Sequence, residues 1–364
     1  MSKLVVAIVW VSCSLCTAGW CQPSSAAAAR SASKDKSTPA TSQHLTRVQT
    51  VHALSELAGV FYAPLKCDSD GNIYLTTDVA GMSGVRKLSP KGERLVIFQA
   101  QTNSDMKKID MSKDFSVGPF GEFYELVFPH EIDRYVFVYK ADGSYKSAIK
   151  LDPGFPWRPT ALAVFPSGNL LVSGLEYDRD RKNPVMWPFT GIFSPSGSPL
   201  KELKLKDDEA LRDLAASGDT RVTSPTNPST NRAIEFTNME TGADGNVYMM
   251  RWTNPALVYA ISPGGEIRRF TVNPGDSSYS PVSMHVAGNR IAVLFIDPQS
   301  TRNVMQIVDL EGRKIATYEE QVEGKAKTDL LGNAFACYAQ NPERFTFLET
   351  DDNNKLEFLI AEPR

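Results

Sequence analysis

Histidine is scarce in this chain: four copies in 364 residues, with His44 and His52 both near the start. That is too few for the multi-histidine centre of a zinc enzyme. Cysteine is nearly missing from the body of the sequence, since three of its five copies stand at positions 13, 16 and 21, leaving Cys67 and Cys337. Beyond residue 21 there is no C-x-x-C, no G-x-S-x-G elbow and no Gly-rich phosphate loop, so the common signatures of metal, acyl-transfer and nucleotide sites are absent. A net charge of −3 supplies no basic field for a phosphate backbone, and nucleic acid is not expected as a partner. With 42% hydrophobic and 22% charged residues the chain still has the composition to bury a sizeable core.

One long apolar run exists, Leu4 to about Cys16, preceded by Lys3 and followed by Thr17, Ala18 and Gly19. It is too short for a comfortable bilayer span, and its order is that of a secretory signal, so residues 1–21 are expected to direct export to the periplasm or the extracellular space. An uncleaved anchor and a lipidated cysteine are the other readings of this stretch, although Leu15 before Cys16 and Trp20 before Cys21 are not the small residues that lipidation sites favour. Residues 22–45, rich in Ala and Ser and without aromatics, cannot bury enough surface to offset chain entropy and read as a flexible tether. The folded domain is expected over 46–364.

Within it one pattern recurs: an apolar alternation, a Gly turn, a second alternation. The turns are "DGN" at Asp70, "FGE" at Phe120, "SGN" at Ser167, "DGN" at Asp244, "AGN" at Ala287 and a glycine-less "NPE" at Asn341. Their spacing, roughly 43 to 54 residues, is that of a four-stranded propeller blade. The interval from Gly168 to Gly245 is longer and holds "KDDEALRDLAAS" and "TSPTNPSTN", read as one helical insertion over 206–232. A second turn follows each of the first five, as "SPKGE" at Ser89, "KADGS" at Lys140, "SPSGS" at Ser194, "SPGGE" at Ser262 and "LEGR" at Leu310. The sixth unit ends one strand short, while "RVQTVHAL" (Arg47 to Leu54) is a spare strand at the other end. The expected fold is therefore all-β, a six-bladed β-propeller whose N-terminal strand closes the last blade and leaves no open edge. A seven-bladed ring with a degenerate blade in the long interval is the rival.

"RPTALAVFPSGNLLVSG" (Arg158 to Gly174) and "GADGNVYMMRWTNPALVYAISPGGEI" (Gly242 to Ile267) carry the pattern best, and in them the sequence resembles the NHL-type six-bladed propellers. That resemblance implies a fold and a binding habit, not an activity.

Topology sorts the connections onto two faces, Gly turns on one, and second-to-third-strand and unit-to-unit loops on the other. The second face receives the irregular segments, where binding usually sits. Trp157, Trp187 and Trp252 with Arg158 and Arg251 make a candidate platform for a sugar-like ligand or a partner's hot spot, against the alternative that these tryptophans wedge between blades. His130 and Glu131 form a candidate acid/base or metal pair, against a plain solvated loop. First strands line the channel, so Glu235, Asn238 and His285 are candidates to project towards the axis, where converging oxygen ligands would suit a Ca²⁺-type ion as in the lactonase-like propellers, against plain polar residues facing channel water; no matching motif completes the set. Cys67 and Cys337 sit on first strands of the first and last units, either disulfide-bonded or as two buried thiols.

The expectation is an exported, monomeric, non-catalytic binding module for a protein, peptide or glycan, without cofactor, touching a membrane through its N-terminus if that segment is retained or lipidated. The rivals are a Ca²⁺-dependent hydrolase working at the channel mouth and a structural spacer of the envelope.

Overall fold

Strand after strand is bounded by the Gly turns, and the computed structural model shows how they assemble. It describes residues 43–53, 61–79, 82–99, 109–129, 134–177, 186–210, 213, 236–297, 302–320, 330–351, 353 and 355–364. Sheet 1 is β2 (Phe61–Cys67), β3 (Ile73–Val79), β4 (Met82–Leu88) and β5 (Arg94–Phe98). Sheet 2 is β6 (Ile109–Val117), β7 (Phe123–Pro129), β8 (Tyr135–Tyr139) and β9 (Tyr145–Lys150). Sheet 3 is β10 (Trp157–Val164), β11 (Leu170–Tyr177), β12 (Met186–Phe193) and β13 (Pro199–Glu202). Sheet 4 is β14 (Phe236–Thr241), β15 (Val247–Arg251), β16 (Ala256–Ile261) and β17 (Ile267–Val272). Each is an antiparallel meander.

The remaining strands form one eight-stranded sheet instead of two separate units. Its order is β18 (Ser280–Ala287), β19 (Arg290–Ile296), β20 (Asn303–Asp309), β21 (Lys314–Glu320), β1 (Gln43–His52), β24 (Leu356–Pro363), β23 (Glu343–Thr350) and β22 (Ala334–Gln340). The weld is β1, which runs antiparallel to β24 from Leu45↔Pro363 to His52↔Glu357 and parallel to β21 over Gln43↔Tyr318 to Leu45↔Glu320. That parallel step corrects the expected tether boundary: Gln43–Leu45 belong to the strand, and Leu45 is buried. Of the expected helical insertion, residues 208–210 are helical, and 214–235 lie outside the described residues.

First strands contact one another in a closed circuit, β2 to β6, β10, β14, β18, β22 and back to β2, which makes the arrangement a propeller. Apolar clusters fill each gap between neighbours. Leu126, Val136 and Trp157 pack between sheets 2 and 3, and Phe165, Met249 and Tyr259 between sheets 3 and 4. Sheets buried on both faces need continuous apolar strands, as in β16 and β19, whereas the rim strand β13 is exposed throughout.

Polar links join the first strands near the axis. Lys66 pairs with Asp114 at 2.8 Å, whose other oxygen accepts the Leu162 N–H at 2.7 Å. Thr241 donates to the Val164 carbonyl at 2.9 Å, and Cys67 is bonded to Cys337 with Cα atoms 5.4 Å apart.

Candidate functional site

The channel candidates are occupied in that same network. Asn238, on β14, donates to the Met284 carbonyl at 3.1 Å. His285, on β18, places Nδ1 2.8 Å from Glu240 Oε1 and Nε2 3.2 Å from the Phe335 carbonyl, with its ring edge-on to Phe335. The second Glu240 oxygen accepts the Val286 N–H at 2.7 Å. The Asn238 and His285 side chains are buried and tie β14, β18 and β22 together. Glu235 lies outside the described residues. Among the described residues no group of three or more His, Cys, Asp or Glu side chains is placed to hold a metal ion.

The expected platform divides. Arg251, at the end of β15, is fully buried, lies over the rings of Phe236 and Tyr259, and pairs with Asp208. Burial pushes the Asp208 carboxyl up and Arg251 opposes that rise. The neighbouring Asp207 accepts the Tyr259 hydroxyl at 2.7 Å and an Arg269 N–H at 3.1 Å, so the start of the insertion is fastened to sheet 4. Arg251 is thus a core residue, because two aromatic faces and a carboxylate solvate it in place of water. Trp157 belongs to a different cluster, stacked on Phe193 at 5.7 Å and edge-on to Phe189 at 5.3 Å, with 5% of its surface exposed. Arg158 and Trp252 are half-buried, and Trp187, at 42%, is the exposed member. His130 and Glu131 lie outside the described residues.

What the loop face does offer is a cleft of about 300 Å³ between sheets 2 and 3. Its walls are Arg134, just ahead of β8, Lys150 at the end of β9, and the connection Leu151 to Pro156 leading into Trp157. The chain folds this way because Leu151, a buried apolar residue, donates its N–H to the Arg134 carbonyl at 2.9 Å. Asp152 Oδ1 then accepts the Gly154 N–H at 2.9 Å in an Asx turn, and Phe155 packs edge-on to Phe189 at 5.1 Å. Charged side chains, Arg134, Lys150 and Asp152, thus line the cleft together with Pro153, Phe155 and Pro156. The Pro- and Gly-containing stretch Asp152 to Pro159 marks this connection in the sequence, whereas Arg134 and Lys150 carry no such mark, being brought in by the start of β8 and the end of β9.

No family model matches the chain, and no curated protein does. Among solved structures it is similar to a luciferin-regenerating enzyme, at 11% identity and a TM-score of 0.46, over 87% of this chain and 95% of that one. It is also similar to a protein assigned as TolB from Agrobacterium tumefaciens, at 13% identity and a TM-score of 0.43, over 76% and 88% of the two chains. A protein assigned as a gluconolactonase gives 12% identity and a TM-score of 0.42, over 89% and 94%. No residue role is carried over from these likenesses.

Proposed function

We propose that this protein is an exported, non-catalytic six-bladed propeller that binds its partner on the loop face, at the cleft between sheets 2 and 3. The blade count divides the eight-stranded sheet at its parallel β21–β1 step, with β1 as the outer strand of the last blade. Gly92 in the β4–β5 turn supports that role: a Cβ there would lie 3.0 Å from the His52 carbonyl, as the β8–β9 turn Gly143 closes on the β5 carbonyl of Ile97. Export is favoured by the apolar run at Leu4 to Cys16 and by the Cys67–Cys337 bond, which suits an oxidising compartment. Among the described residues no helix is long and apolar enough to cross a membrane.

The observation that supports the binding reading is the cleft itself, lined by Arg134, Lys150, Asp152 and Phe155 on the loop face, while the candidate channel ligands Asn238 and His285 are engaged between first strands. Purified protein is expected to show no calcium-dependent turnover across a panel of aliphatic and sugar lactones. Stoichiometric bound calcium together with lactone hydrolysis, both lost in E235A, would replace this reading with the hydrolase one.

A further inference from the structure

From β2 round to β22, neighbouring first strands are linked by polar side chains. Lys66 on β2 pairs with Asp114 on β6, Ser116 on β6 accepts the Val164 N–H of β10 at 3.2 Å, and Thr241 on β14 donates to the Val164 carbonyl. Asn238 on β14 donates to the Met284 carbonyl of β18, and His285 on β18 stands 3.2 Å from the Phe335 carbonyl of β22. The last step, from β22 back to β2, is covalent. Among the described residues no side-chain hydrogen bond or ion pair joins these two strands, and Cys67–Cys337 crosses instead. Around it the gap is apolar, with Leu65 and Leu75 of sheet 1 packed among Ala336, Leu348 and Phe358 of the eight-stranded sheet.

Two locks therefore hold the ring closed on top of that packing, the crosslink between first strands and the β1–β24 ladder at the rim. They act together. While the crosslink is intact, a β1 strand that leaves β24 stays close to it and pairs again, because sheet 1 cannot move away; once the crosslink is cut, the same event frees one end of the ring. Cys67 is half-buried and stands one residue ahead of the Asp68 turn, whose Ser69 and Asp70 are exposed, so the bond lies close to solvent on the Gly-turn face.

We propose that Cys67–Cys337 is a redox latch on the ring. A dithiol reductant attacks one sulfur as its thiolate, and its second thiol then resolves the mixed disulfide. The protein bond takes up two electrons and two protons, and the reductant closes to its own disulfide. The reduced ring keeps its apolar packing and opens locally at the β1–β24 seam, whatever the loop face binds.

The test is hydrogen–deuterium exchange, read by mass spectrometry, on the full chain when oxidised, after dithiothreitol, and after reoxidation with glutathione disulfide, with C67S/C337S alongside. Reduction is expected to speed exchange in β1, β2, β22 and β24 by about tenfold or more beyond any change in β10 to β17, and reoxidation to reverse it. C67S/C337S is expected to match the reduced wild type with or without dithiothreitol. Exchange that reduction leaves unchanged overturns the latch, as does equal acceleration in every sheet, the mark of a staple that serves global stability alone. A bond that dithiothreitol cuts only after denaturant is added, or a change that reoxidation fails to reverse, overturns the switch.

Discussion

Glu125 projects from β7 among the rings of Phe123, Phe137 and Tyr139, and the Tyr139 hydroxyl donates to its Oε2 at 2.9 Å. Burial pushes its carboxyl from the ordinary 4.5 to about 7, against the hydrogen bonds of Ser112 and Tyr139 that favour the anion. The folded state thus holds a proton that the unfolded chain has released over that window. Its stabilising contribution is complete below pH 4.5 and is lost as pH rises through 7, by something on the order of 3 kcal/mol. E125Q keeps the acceptor for Tyr139 and removes the titration. Urea melts of the variant should match wild type near pH 4 and exceed it at pH 8; an unchanged slope of stability against pH between 5 and 7 would place the titrating group elsewhere. The other buried polar residues of the first strands left a faint trace in the sequence. Lys66, Asp114, Ser116 and Asn238, with the partly buried Glu240, each stand two or four positions ahead of the first residue of a Gly turn. Single residues of that kind pass for channel-facing side chains until the neighbouring strand, some fifty residues away, supplies the acceptor.

The Gly turns do two jobs, and one of them was readable. In the five-residue turns the opener's N–H reaches the fifth residue's carbonyl, as from Ser194 to Ser198 at 2.8 Å, and the glycine takes a positive φ. The Ser of "SPxG" accepts N–H groups inside the turn, Ser194 Oγ from Ser196 and Ser198 at 3.3 and 3.1 Å. All this follows from local chemistry, which is why the turns could be placed from residue types alone. The second job is docking. A Cβ on Gly197 would sit 2.0 Å from the Lys150 carbonyl, so the outer turn of sheet 3 lies directly on the last residue of β9. That contact joins modules distant in the chain, and no local pattern encodes it. G197A is expected to lower stability by several kcal/mol, since strain and a backbone collision add. Gly154 has the same φ, +87°, with nothing within 4 Å of an added Cβ, so G154A should cost about 1 kcal/mol. Equal losses in thermal melts of the two variants would show that docking contributes nothing.

Across the whole molecule, the repeat and the use of an early strand beside the last were readable because periodicity and a missing strand are properties of the sequence alone. The merging of two units into one sheet was not, because it depends on Gln43–Leu45 finding β21, three residues of register inside a segment without apolar pattern. The fate of Cys67 and Cys337 likewise depended on how near β2 comes to β22 at the closure. With 270 positions separating them in a chain of 364, their bond closes a loop over about three quarters of the unfolded chain. The C67S/C337S double variant should lose about 2–4 kcal/mol and show an earlier urea midpoint than the oxidised wild type. Coincident midpoints would mean that the apolar and polar seams alone hold the circle shut.

The pairing of β1 with β24 also fixes how the molecule responds to mechanical load. Leu45 faces Pro363, and His44 and Arg364 exchange backbone hydrogen bonds, so both ends of the ring depart from the same side of that pair. A pull between them peels its rungs one at a time instead of shearing them together, and the seam yields at low force. Extension then stops at the crosslink: tension passes from Cys67 directly to Cys337, and everything between them is mechanically shielded.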